Sequence, residues 1–372
     1  MKTSAVRRIY HYNGFAPTTS FADAIEAGAP DLLIPGDQYA VVCLHQVYDW
    51  ARQRGKSGQS VCTLIERSVG SSKSYAIVRA RKAVMQLAEE ESIRVPRTTV
   101  AANLSDLKRC ADELLFPLVL KADGTSSGEG VRIVRTLEEA KRGFRALQSP
   151  PSALRVAKRA LIDRDVRSVL PALLRQRRKI NAQEFVDGQD ATSLAACWKG
   201  KVLARLHFEV VKKQYKNGPA SVMRRIDIPE LDTAISRIAC RLELSGFHGF
   251  DFLLEKQSRK PYLIEMNPRP TQVGHLTLGH TRDLPAALYA AFARTPIEEG
   301  PKVTDNDIIA LFPQEWMRNP SSVFLRTAYH DIPWEEPELI REGTRQRRGW
   351  SSWCRASKSA RLFLTDRHSG AE

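Results

Sequence analysis

Apolar positions along the chain change period several times, and each change marks an element. Ile77, Val84, Leu87 and Ala88 recur at helical spacing in SYAIVRARKAVMQLAEEE, which predicts a helix from Ser74 to Glu91 ended by the SIRVPRT turn. Upstream, FADAIEAGAPDLLIPGDQYAVVCLHQVYDWARQRG reads as a helix, a buried strand at Asp31 to Pro35, and a second helix bearing Val41, Val42, Leu44, His45, Val47 and Tyr48. Downstream, a helix capped near Asn103 to Ser105 precedes FPLVLKADGTSSGEGVRIV, which reads as strand, Gly-rich loop, strand. Thr136 and Glu139 then form a capping box for a helix that ends near Leu147. From 191 to 215, alternation on both sides of Lys199-Gly200-Lys201 predicts a strand pair, followed by KNGPASVMRRID as a loop and a helix from about Pro229 to Leu244. Helices interleaved with strands make the chain α/β.

The stretch Gly246 to Gln272, GFHGFDFLLEKQSRKPYLIEMNPRPTQ, carries the chemistry. Two apolar runs flank a polar connector and read as antiparallel strands. With the loop centred on Ser258, Phe252 lies opposite Ile264, Phe250 opposite Met266 and Leu253 opposite Leu263. The same register sets Asp251 opposite Glu265, and Asn267 opposite Gly249. Directly opposed like charges destabilise a strand pair. At about 5 Å and an effective dielectric near 20, two carboxylates repel by roughly 3 kcal/mol, so a cation belongs between them. Oxygen ligands on adjacent strands, with room for phosphate and water, suit Mg²⁺. The plain alternative is a solvated outer face with a different register.

GFHGFDFLLE followed by YLIEMNPRP closely resembles the C-terminal signature of the ATP-grasp superfamily, of the carbamoyl-phosphate-synthase-like, carboxylate–amine ligase type. The resemblance covers roughly residues 20 to 290. It implies an α+β ATP-grasp fold at 76–300, with a smaller nucleotide-gripping subdomain at 97–187 and a metal-binding subdomain at 188–300 closing on ATP. A shortened α/β unit at 1–75 precedes it, and 301–372 is an extension with a basic tail. The family's usual opening strand and Gly-rich turn are missing from that first unit. Either the start codon is misplaced or the unit is short and contributes less to substrate binding.

Residue by residue, the resemblance implies Asp251, Glu265 and Asn267 as ligands of Mg²⁺, with Mn²⁺ a permitted substitute. It implies Lys121 reaching the α- and β-phosphates, and Gly124, Ser126, Ser127, Gly128 and Gly130 as a lid whose bare backbone approaches phosphate closely. This is not a Walker loop, since no Gly-Lys-Ser/Thr is present and a strand follows where a helix should. Arg81 falls where the family touches the phosphates, with Arg79 and Lys82 as competitors. Glu184, Phe185 and Val186 would read the adenine edge through their backbone, and Asp190 the ribose. Arg269 would reach the γ-phosphate or an acyl phosphate, with Arg224 or Arg225 near the terminal phosphate and Thr271, Gln272 and His275 at the mouth. Without the resemblance these segments read as an amphipathic helix, a hairpin loop and a central strand. The implied activity is an ADP-forming carboxylate–amine or carboxylate–thiol ligase acting through an acyl phosphate. A phosphotransferase of the same fold and an ATP-binding regulator without turnover are the alternatives.

Composition changes this picture little. The 372 residues are 42 % apolar, enough for an ordinary core. Neither a membrane-length apolar run nor a signal-peptide core is seen, so a cytoplasmic protein with no membrane partner is expected. The cysteines Cys43, Cys62, Cys110, Cys197, Cys240 and Cys354 are scattered, which argues against a disulfide framework or zinc site and for small buried hydrophobes. The net charge of +15 is concentrated at Arg155 to Lys179 and in the tail from Arg341. Neither segment carries an aromatic ladder, so nucleic acid is the less favoured partner, and attraction of anionic substrates accounts for part of the excess. Small-molecule acid and amine substrates are the expected partners, and a homodimer is left open.

Overall fold

The computed structural model describes residues 3, 5–122, 130–149, 179–216 and 218–344. The chain divides into two compact units, one of residues 10–207 with 227–303 and the other of 1–9, 208–226 and 304–372.

The larger unit opens with helices α1 (Pro17–Gly28), α2 (Gln38–Gln53) and α3 (Gln59–Val69), which bury Ile25, Leu44, Val47 and Ile65 together with Tyr75. Pro17 occupies the first turn of α1, where its missing N–H costs nothing. The Asp37 carboxylate caps α2 by accepting from Ala40 N at 2.7 Å. The strand expected at Asp31 to Pro35 does not form. That segment packs Leu33 on the helices, and the Leu33 N–H goes to Ser68 Oγ at 3.0 Å instead of to a neighbouring strand.

The helix expected from Ser74 to Glu91 is broken. A short α4 (Tyr75–Val78) and α5 (Arg81–Glu90) are separated by Ala80 in extended conformation, φ −113° and ψ 105°. Helical spacing of apolar residues does not register such a break, because Ile77 and Val84 stay on compatible faces. Its consequence is that Arg81 opens a helix.

Next come β1 (Thr98–Ala101), α6 (Leu104–Leu114), β2 (Leu118–Ala122), β3 (Val131–Val134), α7 (Leu137–Gln148) and β4 (Ile180–Glu184), with the four strands in one sheet ordered β1-β4-β2-β3. Leu107, Leu118, Leu120, Phe144 and Ile180 form their core. Asn103 and Thr136 cap α6 and α7 as expected. Glu139, however, accepts from Arg135 N at 2.8 Å, one residue short of a reciprocal capping box. Ala122 N donates to Gly130 O at 2.9 Å and closes the base of the Gly-rich hairpin. Its tip, with Gly124, Ser126, Ser127 and Gly128, lies outside the described residues, as do the basic segment up to Arg178, Cys354 and the tail from Arg345.

A second sheet of this unit runs β6-β5-β8-β9. β5 (Gly188–Trp198) turns into β6 (Lys201–Lys213) through Lys199 and Gly200, with φ 49° and 82°, the paired positive values of a type I′ hairpin. After β7 (Ala220–Arg225), which belongs to the other unit, come α8 (Pro229–Arg241), β8 (Gly246–Glu255), β9 (Pro261–Asn267) and α9 (Leu284–Ala293).

The smaller unit holds β6 from Phe208 on, antiparallel to β7. It also holds β10 (Ile308–Leu311), α10 (Gln314–Arg318), α11 (Phe324–Thr327), β11 (Tyr329–Asp331) and α12 (Pro337–Thr344). β10 pairs antiparallel with β7 and parallel with β11. The loop expected at 216–227 therefore contains a strand, because Val222 and Met223 are buried against β6 and β10. Glu315, fully buried, anchors this unit by accepting from Ser221 at 2.8 Å, from Ser322, and from both arms of Arg318.

Cys43, Cys62, Cys110 and Cys197 are buried as expected, whereas Cys240 is exposed on the outer side of α8. No helix among the described residues is long and apolar enough to cross a membrane.

Candidate functional site

The β8–β9 hairpin sets Asp251 opposite Glu265, Phe250 opposite Met266 and Gly249 opposite Asn267, the register read from the sequence. Toward the turn that register fails. Phe252 faces Leu263 rather than Ile264, and Leu253 faces Tyr262 rather than Leu263, because a β-bulge between Asp251 and Phe252 leaves Ile264 as an extra residue. The bulge has a purpose that alternation alone cannot serve. In a regular strand, Leu263 and Glu265 would share a face. Here Leu263 is buried beside Phe252, while Glu265 joins Asp251 on the opposite, accessible face.

Asp251 is gripped from both neighbouring strands. Thr192 on β5, its direct cross-strand partner, donates through Oγ1 to Asp251 Oδ1 at 2.9 Å, and Asn267 Nδ2 donates to Oδ2 at 3.0 Å. Burial, reinforced by the charge of Glu265, pushes its carboxyl up to about 6, against the pull of Thr192, Asn267 and Arg269. Glu265 Oε1 accepts from Arg81 Nη2 at 2.5 Å. Of the three basic residues at that turn, Arg81 reaches Glu265, while Arg79 Nε folds back onto Tyr75 O at 3.3 Å.

Lys121, on β2 of the other sheet, lies in the same field. It is buried, and its ammonium is pushed down to about 8 by desolvation and then by Arg81, with Glu265, Asp251 and Asp190 opposing. Arg269 Nη1 donates to Pro270 O at 3.1 Å. Arg269 Nε and Thr271 Oγ1 are enclosed and have no hydrogen-bond partner among the described residues. Gly249 permits this packing, since a Cβ there would lie 2.6 Å from Thr271 Cγ2. Buried donors without partners cost free energy unless a ligand supplies acceptors, and phosphate oxygens are acceptors of the right kind.

β4 ends at Glu184. Its carboxylate accepts from Arg97 N and Nε at 3.2 and 3.3 Å, and its own N–H goes to Arg97 O at 2.9 Å. Phe185 and Val186 lie between strands and make no backbone hydrogen bond to a described residue, which leaves donor and acceptor groups side by side. Asp190 follows on the face of β5 that bears Thr192. In the smaller unit, Arg224 Nη1 pairs with Glu209 at 3.0 Å and Arg225 with Asp307. His45, stacked on Tyr75 at 3.7 Å, is pushed down to about 3 by burial and by Arg79, which fits a structural histidine.

Sequence reading missed Thr192, because its role depends on which strand pairs with β8. It also missed a chain that runs from the buried Ser193 toward the surface, in which Ser193 Oγ and His207 Nδ1 lie 2.8 Å apart, His207 Nε2 and Asp232 Oδ1 lie 2.8 Å apart, and Arg205 grips Asp232 with two nitrogens. The alternation of β5 and β6 was the only signal for it.

The family model described as carbamoyl-phosphate synthase L chain, ATP binding domain, matches residues 79–281, more than half of the chain. The chain belongs to this ATP-binding family of the ATP-grasp superfamily. Its sequence is similar to the formate-dependent phosphoribosylglycinamide formyltransferase of Bacteroides thetaiotaomicron, 23 % identical over 266 residues that cover 70 % of this chain and 59 % of the relative. The counterpart from Bacteroides fragilis is 23 % identical over 261 residues, covering 68 % and 58 %. The chain thus spans about three fifths of the length of these relatives. Among solved structures, an N5-carboxyaminoimidazole ribonucleotide synthetase in its ADP complex superposes with a TM-score of 0.53 at 15 % identity, over 78 % of this chain and 67 % of that one. The Staphylococcus aureus N5-carboxyaminoimidazole synthetase with ADP gives 0.51 at 12 %, over 76 % and 65 %. These likenesses show the α+β ATP-grasp fold.

Proposed function

We propose that the protein is an ATP-dependent, ADP-forming ligase that joins a small carboxylic acid to an amine. The observation that supports this best is the set Asp251, Glu265 and Asn267 in register on one face, with Lys121, Arg81 and Arg269 around it. Relatives named for a formyltransferase and for carboxyaminoimidazole synthetases are consistent with carboxylate chemistry on an amine.

The donor set fits Mg²⁺. Among the described residues no group of three or more His, Cys, Asp or Glu that could hold a metal is found; the candidate set is two carboxylates in register and Asn267 Oδ1, the amide nitrogen being bonded to Asp251. Magnesium is commonly held by one or two carboxylates, with substrate phosphates and water completing the shell. Held by Asp251, Glu265 and Asn267, the ion would supply positive charge against the negative charge that builds on the phosphate oxygens.

Everything else falls to the chain. The backbone of Phe185 and Val186 binds the adenine edge, and Asp190 the ribose. Lys121 and Arg269 offset negative charge on the phosphoryl group. A substrate carboxylate oxygen attacks the γ-phosphorus as the bond to the ADP oxygen breaks. The resulting acyl phosphate is attacked at carbon by the amine, phosphate leaves, and the nitrogen gives up one proton. An amine that arrives neutral needs no dedicated base.

ADP and free phosphate release from Mg-ATP, measured with pooled carboxylic acids and amines, tests the reading on wild type and Glu265→Ala. Release that depends on an acid and vanishes in the variant is expected. Turnover that survives Glu265→Ala would sink the metal assignment. ADP without free phosphate would favour a phosphotransferase, and ATP binding that no pool converts to release would favour a regulator.

A further inference from the structure

Thr192 has no role in the reading above, yet it is the residue that aims the central carboxylate. It stands directly opposite Asp251 across the β5–β8 pair and donates to Oδ1 at 2.9 Å, while Asn267 donates to Oδ2 at 3.0 Å. A carboxylate held by one donor on each oxygen cannot rotate about its terminal bond without breaking one of them. Each oxygen keeps a further lone pair, and the two bonds fix where those lone pairs point.

The next residue along β5 is rooted in the opposite direction. Ser193, fully buried, shares a hydrogen bond of 2.8 Å with His207 Nδ1. A carboxylate only accepts, so His207 Nε2 donates to Asp232 Oδ1 at 2.8 Å. Burial drives the ring toward its neutral form, and the Ser193 hydroxyl then donates to Nδ1. Arg205 closes the chain with a bond of 3.0 Å to Asp232 Oδ2 and a second to Oδ1. Ser193 is enclosed and cannot meet a substrate, so this Ser–His–Asp arrangement is not a nucleophile. It fastens β5 to β6 and α8 immediately behind Thr192.

We infer that Thr192 is a positioning residue for the metal-binding carboxylate of Asp251, presented at the site by a strand that the Ser193–His207–Asp232–Arg205 chain locks from behind. This rests on the reading of Asp251 as a cation ligand. Partners that orient a ligand from outside the coordination sphere typically change metal affinity by ten- to a hundredfold when removed.

The test uses the full chain loaded with ADP and titrated with Mn²⁺, free Mn²⁺ being read by electron paramagnetic resonance. Thr192→Val, which keeps the shape of the side chain, should weaken Mn²⁺ binding about ten- to a hundredfold, and Thr192→Ser should return it to within about threefold of wild type. ADP affinity without metal should stay unchanged in both. Thr192→Ala reads the same quantity should valine upset the strand. A loss equal in Val and Ser, or matched by a loss of metal-free ADP binding, would mean a packing role and overturn the inference. Unchanged Mn²⁺ affinity in Thr192→Val, beside collapse in Asp251→Asn, overturns it and leaves the metal reading standing. If Asp251→Asn also binds Mn²⁺ like wild type, both readings fall together.

Discussion

On the β8–β9 hairpin the acids are held before any ligand arrives, with Thr192 and Asn267 on Asp251 and Arg81 on Glu265. The donors of the same site are treated differently. Lys121 is buried with its ammonium pushed down to about 8, and Arg269 Nε and Thr271 Oγ1 have no partner among the described residues. The chain thus satisfies its anions internally, with Arg81 bound to Glu265, and leaves Lys121, one nitrogen of Arg269 and the Thr271 hydroxyl wanting. A site built this way gains most from a ligand that brings negative oxygens, and its carboxylates need only to be aimed.

The largest test of that contrast is Lys121→Met. In the proposed reading it removes a charge-assisted contact to phosphate worth about 1.5–3 kcal/mol, so ADP affinity should fall about ten- to a hundredfold by calorimetry. The ligand-free protein should melt no lower than wild type, since the variant also removes a poorly solvated ammonium. A marked fall in ligand-free stability would show that Lys121 is already satisfied, and the contrast would be wrong.

Gly249→Ala strikes the same side of the comparison at Arg269 and Thr271. The new Cβ would stand 2.6 Å from Thr271 Cγ2 and 3.5 Å from Asn267 Cβ, so the segment carrying Arg269 and Thr271 must shift. Overpacking of this kind costs about 1–3 kcal/mol, read as a lower denaturant midpoint. A variant as stable as wild type would show that the segment moves freely and is not preset.

The pH dependence separates the two roles of Lys121. Its folded value of about 8 lies below the unfolded 10.5, so between these the unfolded chain binds more protons, and stability of the ligand-free protein rises with pH across that window. Nucleotide affinity should do the opposite and fall above about pH 8 as the ammonium is lost, by at most about tenfold per unit. Asp251, raised from 3.8 to about 6, makes stability fall as pH climbs through that lower window. Lys121→Met should abolish the upper pair of slopes and leave the lower one. Parallel slopes for stability and affinity above pH 8 would assign the titration to another group.

The site was legible where chemistry and strand spacing coincide. The register of Asp251, Glu265 and Asn267 follows from the alternation of GFDF and YLIEMN and from opposed acids demanding a cation. It failed from Phe252 to the turn, because an extra residue in a strand leaves the sequence of apolar residues unchanged and only alters which face they take. Pairings between distant segments were the other blind spot. Thr192 meets Asp251 only because β5 lies beside β8, and the strand at Ala220–Arg225 exists only because β6 and β10 flank it. The helix break at Ala80 escaped for a local reason, as Ile77 and Val84 fit one helix or two.

The smallest expected effect concerns the adenine end. Glu184 has its carboxylate on Arg97 and its N–H on Arg97 O, so in the proposed reading the adenine edge falls to the backbone of Phe185 and Val186. The Arg97–Glu184 pair is largely exposed, with side chains 60 % and 39 % accessible, and such pairs contribute about 0–1 kcal/mol. Glu184→Gln keeps the shape and an acceptor for Arg97 N. ADP affinity should change by less than about threefold, and stability by less than about 1 kcal/mol. A tenfold loss of ADP affinity with stability intact would mean that the carboxylate itself meets the ligand. Backbone reading of adenine at this hinge would then have to give way to a side-chain contact, with Arg97 released on binding.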